Sequence, residues 1–279
     1  AGDPSTSGNS CAVTNEYVAE LLVNYGMSEV ELKTSGGSWD SWMENNLEEG
    51  VLYFNYRGYL GVSGFGSGNI DNAANGYKLP FATVLTCGTG SFAEETTTLS
   101  EKFFRAGSAA NPRGAVAAVG TATWNTHTLF NNIVDMGMYH GIFVNNLATA
   151  GGALASGKLA LNNAYPGDPD EWVSAFTMWN NLIGDPATHL WTDTPMVIYA
   201  DYQSNISFGT NFVDIIVTNS SNNPIQNARV TLRKGNEIFI NSFTDDNGYV
   251  MIPIQYSESG DMDLTITKHN RKENAHHRQ

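Results

Sequence analysis

Three short apolar runs set most of what this chain can fold into. Val51–Tyr56 ("VLYFNY"), Phe81–Thr86 ("FATVLT") and Gly114–Gly120 ("GAVAAVG") are too short for buried helices and too continuously apolar for strands with one wet face. Each gives way to a loop rich in glycine or small polar residues. Between the second and third runs, "TTLSEKFFRAG" places Leu99, Phe103 and Phe104 at helical spacing after a Ser/Thr start and before a glycine stop. Strand, helix, strand with short connections predicts parallel strands in an α/β layer. Ligands bind such sheets beyond the carboxyl ends of the strands. The loops after Tyr56, Thr86 and Gly120 should therefore open on one edge.

Elsewhere the pattern is helical, then alternating. "TNEYVAELLVNYG" predicts a helix with Thr14 as N-cap and Gly26 as C-cap, and a short helix is expected over Ser38–Leu47. Thr128 to about Asn163 reads as glycine-rich helix, "DEWVSAFTMWNNLIG" as a helix ended by Gly184, and "GDPATHLWTDTP" as a short closing strand. After residue 198 the strings "NFVDIIVTN", "ARVTLRKG", "EIFINSFTDDNGYVMIPI" and "MDLTITKHN" alternate apolar and polar residues between turn signals, which predicts a β-sandwich. The expected layout is an α/β domain over 1–198 and an all-β domain over 199–279, with a frayed tail "HNRKENAHHRQ".

Charge excludes some partners. The chain carries 14 basic and 28 acidic residues, net −14, and residues 1–200 hold 7 Lys/Arg against 19 Asp/Glu. Such a surface repels phosphate backbones, so no nucleic-acid partner is expected. No apolar run reaches 18 residues, so no membrane span is expected. The start "AGDPSTSGNS" shows no cleavable signal, which predicts that export information was removed or that the chain is a piece of something longer.

Cys87 lies where a nucleophile could stand. In "TCGTGSF" it follows a strand, and Gly88 and Gly90 let the backbone approach a substrate carbonyl without Cβ interference. A small buried hydrophobe at a strand end is the plain alternative. The second cysteine, Cys11, sits in a Ser/Gly lead-in expected to be flexible, either as a lesser rival or as a disulfide partner. His140 and His189 read as structural. The tail histidines lack further ligands at zinc spacing, so no metal site is expected. "TDDNGY" lacks the spaced carboxylates of a calcium loop and reads as a hairpin turn, so structural calcium has no motif behind it.

The strings "LEEGVLYFNYRGYLGVSGF", "LPFATVLTCGTGSFAEETTTLSEKFFRAG", "GAVAAVGTATWNTHTLFNN" and "WNNLIGDPATHLWTDTP" together resemble the gingipain-type cysteine peptidases, family C25. The resemblance implies a caspase-like, mostly parallel sheet flanked by helices and lacking its first half, followed by an immunoglobulin-like sandwich. It further implies Cys87 as nucleophile, oxyanion donors around Gly58 and Gly88, a protein or peptide substrate, no required cofactor, a secreted or cell-surface setting, and an N-terminal chain completing the α/β domain. One position departs from the family motif: where its Asn-Tyr-x-Gly-His-Gly places histidine, "NYRGYLG" has Tyr59. A tyrosine of ordinary pKa, about 10, is a poor base at neutral pH. Three outcomes stay open: His127, in "WNTHT", supplies the imidazole; Tyr59 and Arg57 polarise the thiol; or catalysis is lost and a binding or surface-assembly role remains. Trp124, three residues before His127, is either a pocket wall for substrate or a packing residue.

Overall fold

The computed structural model describes residues 1–5 and 8–273. They form two compact units, Ala1–Thr192 and a second from Asp193 onward.

In the first unit β1 (Tyr53–Tyr56), β2 (Phe81–Val84) and β3 (Ala117–Thr121) run parallel in that order, and β4 (Asn180–Ile183) pairs antiparallel with β3. Tyr56, Val84 and Gly120 stand in register, so the three strands end at one edge, as the sequence predicts. Every residue of β2 and β3 is buried, which is why those strands read as continuous apolar runs. Side chains alternate between two cores. Phe81, Leu85, Ala117 and Val119 pack with α1 (Asn9–Tyr25), α5 (Thr128–Phe143), α6 (Ala150–Ala164) and α7 (Trp172–Trp179). Phe54, Tyr56, Ala82, Val84 and Ala118 pack with α2 (Trp39–Glu49), α3 (Ser67–Asn72) and α4 (Leu99–Arg105). The outer edge of β1 is bordered by the start of the chain, where Gly2 bridges Arg57 in parallel.

The caps of α4 follow from its sequence. The Thr98 hydroxyl accepts from the Glu101 N–H, and the Glu101 carboxylate accepts from the Thr98 N–H at 2.8 Å.

Several expectations need correction. Helix α1 starts at Asn9 and not at Thr14, whose hydroxyl donates back to the Ser10 carbonyl at 2.8 Å. Cys11 is therefore fully buried within that helix and not in a flexible lead-in, and Cys11 and Cys87 are not joined in a disulfide. The polar string "GNSCAVTN" hides this helix because Thr14 and Asn15 bury their side chains by bonding one turn back, to Ser10 O and Cys11 O. The helix expected to reach Gly184 stops at Trp179. Asn180 leaves it to pair with Thr121, whose hydroxyl donates to the Asn180 side chain at 2.9 Å. Residues 184–195 form no strand; they contribute one bridge, His189 to Thr149. The long helical stretch divides into α5 and α6, and α3 lies where no apolar period announces a helix.

The second unit has a sheet ordered β10 (Asp263–Thr267), β7 (Arg229–Lys234), β8 (Ile238–Phe243) and another ordered β11 (Arg271–Glu273), β5 (Met196–Tyr202), β6 (Phe212–Asn219), β9 (Tyr249–Pro253). Alternate residues such as Val213, Ile215, Val217, Val230, Leu232, Val250 and Ile252 fill one core shared by both sheets. β5 begins before the expected boundary at 198. Part of the expected frayed tail is strand β11, parallel to β5, while residues 274–279, with His276 and His277, lie outside the described residues.

Candidate active site

Cys87 follows β2 by three residues, at the edge where the parallel strands end. The chain turns immediately after it: Gly88 has φ +73°, and a Cβ there would lie 2.7 Å from the Trp124 ring. Glycine is thus required twice, by conformation and by the indole lying against its backbone. The Gly88 N–H donates to Thr123 O at 2.7 Å and the Gly90 N–H to Thr121 O at 3.1 Å, which fixes this turn to the segment leaving β3. From that segment Thr126 reaches back, its hydroxyl 2.8 Å from Cys87 Sγ. Cys87 is 7% exposed, whereas Trp124 is 52% exposed and forms an open aromatic wall beside it. The loop after β1 joins the same place, since the Thr86 hydroxyl donates to the Tyr59 carbonyl. The three loops meet at one edge.

The remaining predicted residues take distinct places. A Cβ on Gly58 would fall 2.1 Å from the Tyr56 hydroxyl, so only glycine fits there. The Gly58 N–H donates no hydrogen bond among the described residues. The Gly88 N–H, expected to help hold an oxyanion, is already bonded to Thr123. The Tyr59 side chain is 49% exposed and is not bonded to the thiol. His127 caps α5: its Nδ1 accepts the Leu129 N–H at 3.2 Å, and its ring meets Phe130 edge-on at 5.5 Å. A neutral imidazole accepting at Nδ1 carries its proton on Nε2. In this tautomer His127 donates; it accepts a proton only after giving up the cap. Cys87 Sγ is bonded to Thr126, the residue before His127, and not to His127 itself.

Beneath the loops lies a buried polar cluster that the sequence did not reveal. Arg57, the residue after β1, is fully buried; its Nε donates to Asn132 Oδ1 at 2.8 Å and its Nη2 to Thr128 O at 3.2 Å, while Nη1 has no hydrogen-bond partner among the described residues. Burial lowers its pKa, and the neighbouring Cys11, Asp135, Tyr56 and Cys87 oppose that shift. Asp135 of α5 is also fully buried, with Oδ2 accepting from Asn55 Nδ2 at 2.9 Å and Oδ1 unpartnered. The available signal was the polar set Asn131, Asn132 and Asp135, which interrupts an otherwise apolar helix face. Among the described residues no group of three or more His, Cys, Asp or Glu could hold a metal ion.

Burial pushes the Asp135 carboxyl up to about 6 from 3.8, against the pull of Arg57, of Asn55 and of the terminal ammonium. The folded chain therefore keeps a proton that the unfolded chain releases near pH 4. Stability from this group is full below about pH 4 and falls as pH rises to about 6. Two pH units correspond to about 3 kcal/mol. In urea unfolding, the stability of Asp135→Asn relative to wild type should improve by about that much between pH 4 and pH 7. A difference independent of pH would show that this carboxyl does not titrate on folding.

Peptidase family C25 matches residues 7–191. Among solved structures, the Arg-specific cysteine proteinase gingipain R superposes with a TM-score of 0.79 at 22% identity, over 97% of this chain and 62% of that one. The complex of RgpB pro- and mature domains from Porphyromonas gingivalis gives 0.79 at 22% over 97% and 64%, and a further structure described as a protease gives 0.77 at 16% over 97% and 63%. The chain thus spans less than two thirds of the length of each. No curated protein matches its sequence. The superpositions establish a mixed α/β fold shared with the gingipains, and no described helix is long and apolar enough to cross a membrane. With well over half of its 279 residues matched, and with a cysteine at the strand edge where the fold gathers its loops, the chain belongs to the cysteine peptidases of family C25.

Proposed function

We propose that this protein is a cysteine endopeptidase that attacks peptide carbonyls through Cys87. The observation that carries the reading is the placement of Cys87: at a parallel strand end, against the Thr126 hydroxyl, beside the open face of Trp124. The thiolate adds to the carbonyl carbon, the C–N bond breaks to give an acyl-enzyme and an amine, and water releases the acid. The unengaged Gly58 N–H is the candidate oxyanion donor, while Gly88 supplies the turn. His127 is the candidate donor to the leaving amine once Nδ1 releases the Leu129 N–H and takes up a proton to give the imidazolium, and Trp124 flanks the substrate. No cofactor enters this chemistry, and structural calcium has no assigned role. The caspase-like description of the first unit, the immunoglobulin-like description of the second, a secreted or cell-surface setting and an N-terminal partner chain belong to the same proposal.

A second reading, an inactive homologue that binds peptides or assembles at a surface, is favoured by one observation: Tyr59, half-exposed, stands at the family's histidine position. Exposure to a panel of peptidyl acyloxymethyl ketones under reducing conditions, followed by mass mapping, separates the two. The peptidase reading expects a covalent adduct on Cys87; saturable binding without an adduct would leave the second reading in its place.

A further inference from the structure

An open strand edge is a template for another strand, and folded proteins blunt such edges with charge or proline. Among the described residues the second unit has four edge strands. β9 carries Pro253, β10 carries Asp263, and β11 is Arg271, Lys272 and Glu273. β8, "IFINSF", carries neither a charge nor a proline. The Thr244 N–H donates to Ala228 O at 3.0 Å, so by the alternation of an antiparallel ladder the backbone groups of Ser242 and Ile240 face β7. Those of Phe239, Asn241 and Phe243 point to the open side, where no backbone bond reaches them among the described residues. The same three residues present their side chains to solvent, Phe239 72% and Phe243 61% exposed. Asn241 between them is steadied from β7, with Arg229 Nε donating to its Oδ1 at 2.7 Å.

This edge is complementary to itself. Two copies of β8 laid antiparallel, with Asn241 opposite Asn241, set Phe239 against Phe243 twice and Ile240 against Ser242 twice. In that register the open N–H and C=O groups of all three residues meet those of the other copy, aromatic side chains pair across the seam, and no like charges face each other. Charge also favours approach on this side: residues 201–279 hold 7 Lys/Arg against 9 Asp/Glu, whereas 1–200 hold 7 against 19. The geometry points to β8 as a self-association edge, through which two copies of this chain join into one six-stranded sheet about a two-fold axis at Asn241. Each copy uses its one bare edge, so pairing closes at a dimer. The four rings that meet hold roughly 500 Å² of exposed surface. That is well under the roughly 1,200 Å² of a standard interface, so the dimer is weak, with a Kd on the order of 10–100 µM. The inference is independent of the reading of Cys87.

Sedimentation equilibrium of the full chain from about 2 to about 500 µM tests it. Wild type should pass from monomer to dimer over that range. Asn241→Lys sets two ammonium groups opposite each other at the axis, and Phe243→Ser removes both ring pairs; each should weaken association about tenfold or more. Asn241→Cys places two thiols across the axis with Cα atoms about 5.5 Å apart, within disulfide reach, so mild oxidation should give a dimer linked at that position by mass mapping. Thr231→Cys, on β7, lies about 14 Å from its copy and should not link. A chain still monomeric at the top of the range, a dimer unchanged in either folded variant, or species that grow beyond a dimer overturns the proposal. If neither Asn241→Lys nor Phe243→Ser folds, cross-linking decides alone: a link at position 241 without one at 231 upholds the proposal, and any other result overturns it.

Discussion

Cys87→Ala is expected to abolish peptide hydrolysis while leaving a folded chain. Loss of the attacking atom in an enzyme working by covalent catalysis lowers turnover by about a millionfold. The structural loss is small by comparison. Cys87 is a small side chain, 7% exposed, and among the described residues its side chain bonds to the Thr126 hydroxyl alone. Removing one sulfur atom from such a site costs about 1 kcal/mol. The turn itself is held by backbone bonds from Gly88 and Gly90 to Thr123 and Thr121, which alanine does not touch. Initial rates on a protein substrate, with urea unfolding of the same preparation, separate the two effects. Hydrolysis surviving at the wild-type rate in a folded Cys87→Ala chain would rule out Cys87 as the nucleophile.

The sheet and its edge were legible because strands buried on both faces leave continuous apolar runs, and a parallel order forces their loops to one side. Cys87, Trp124 and the loop of Tyr59 follow from that topology. The burial of Arg57 was hidden for the opposite reason: the string marks it as a residue that could polarise the thiol, but a charged residue reads as surface, and only the packing of α1, α5 and the chain start around the end of β1 buries it. Strand β4 was hidden because "MWNNLIG" continues a helical period; pairing of Asn180 with Thr121, a long-range contact, ends the helix. The N-terminal turn of α1 was hidden by polar residues whose bonds are satisfied one turn back, an arrangement that local composition does not register.

Gly120→Ala is expected to destabilise the first unit and to disturb Cys87 together. A Cβ at Gly120 would lie 2.9 Å from Gly90 N, from Thr89 C and from Ser100 Oγ. Two of these three atoms are backbone, so no side-chain rotation relieves the clash. The reciprocal approach is as close, since a Cβ on Gly90 would fall 2.8 Å from Gly120 C. Here the loop that carries Cys87 lies directly on β3, and β3 is held in turn between Val84 and Asn181 by its ladders. Overpacking of this kind costs about 3 kcal/mol. The loop is the less constrained side and should yield, so Cys87 alkylation at fixed pH should slow as well. Ser100→Ala added to Gly120→Ala removes only the hydroxyl contact and should restore a minor part. Gly37→Ala is the control: nothing lies within 4 Å of its added Cβ, and its change should stay within about 0.5 kcal/mol. Urea unfolding of the three variants beside wild type measures this, and a Gly120→Ala chain as stable as the Gly37→Ala control would mean that the loop and β3 do not meet backbone to backbone.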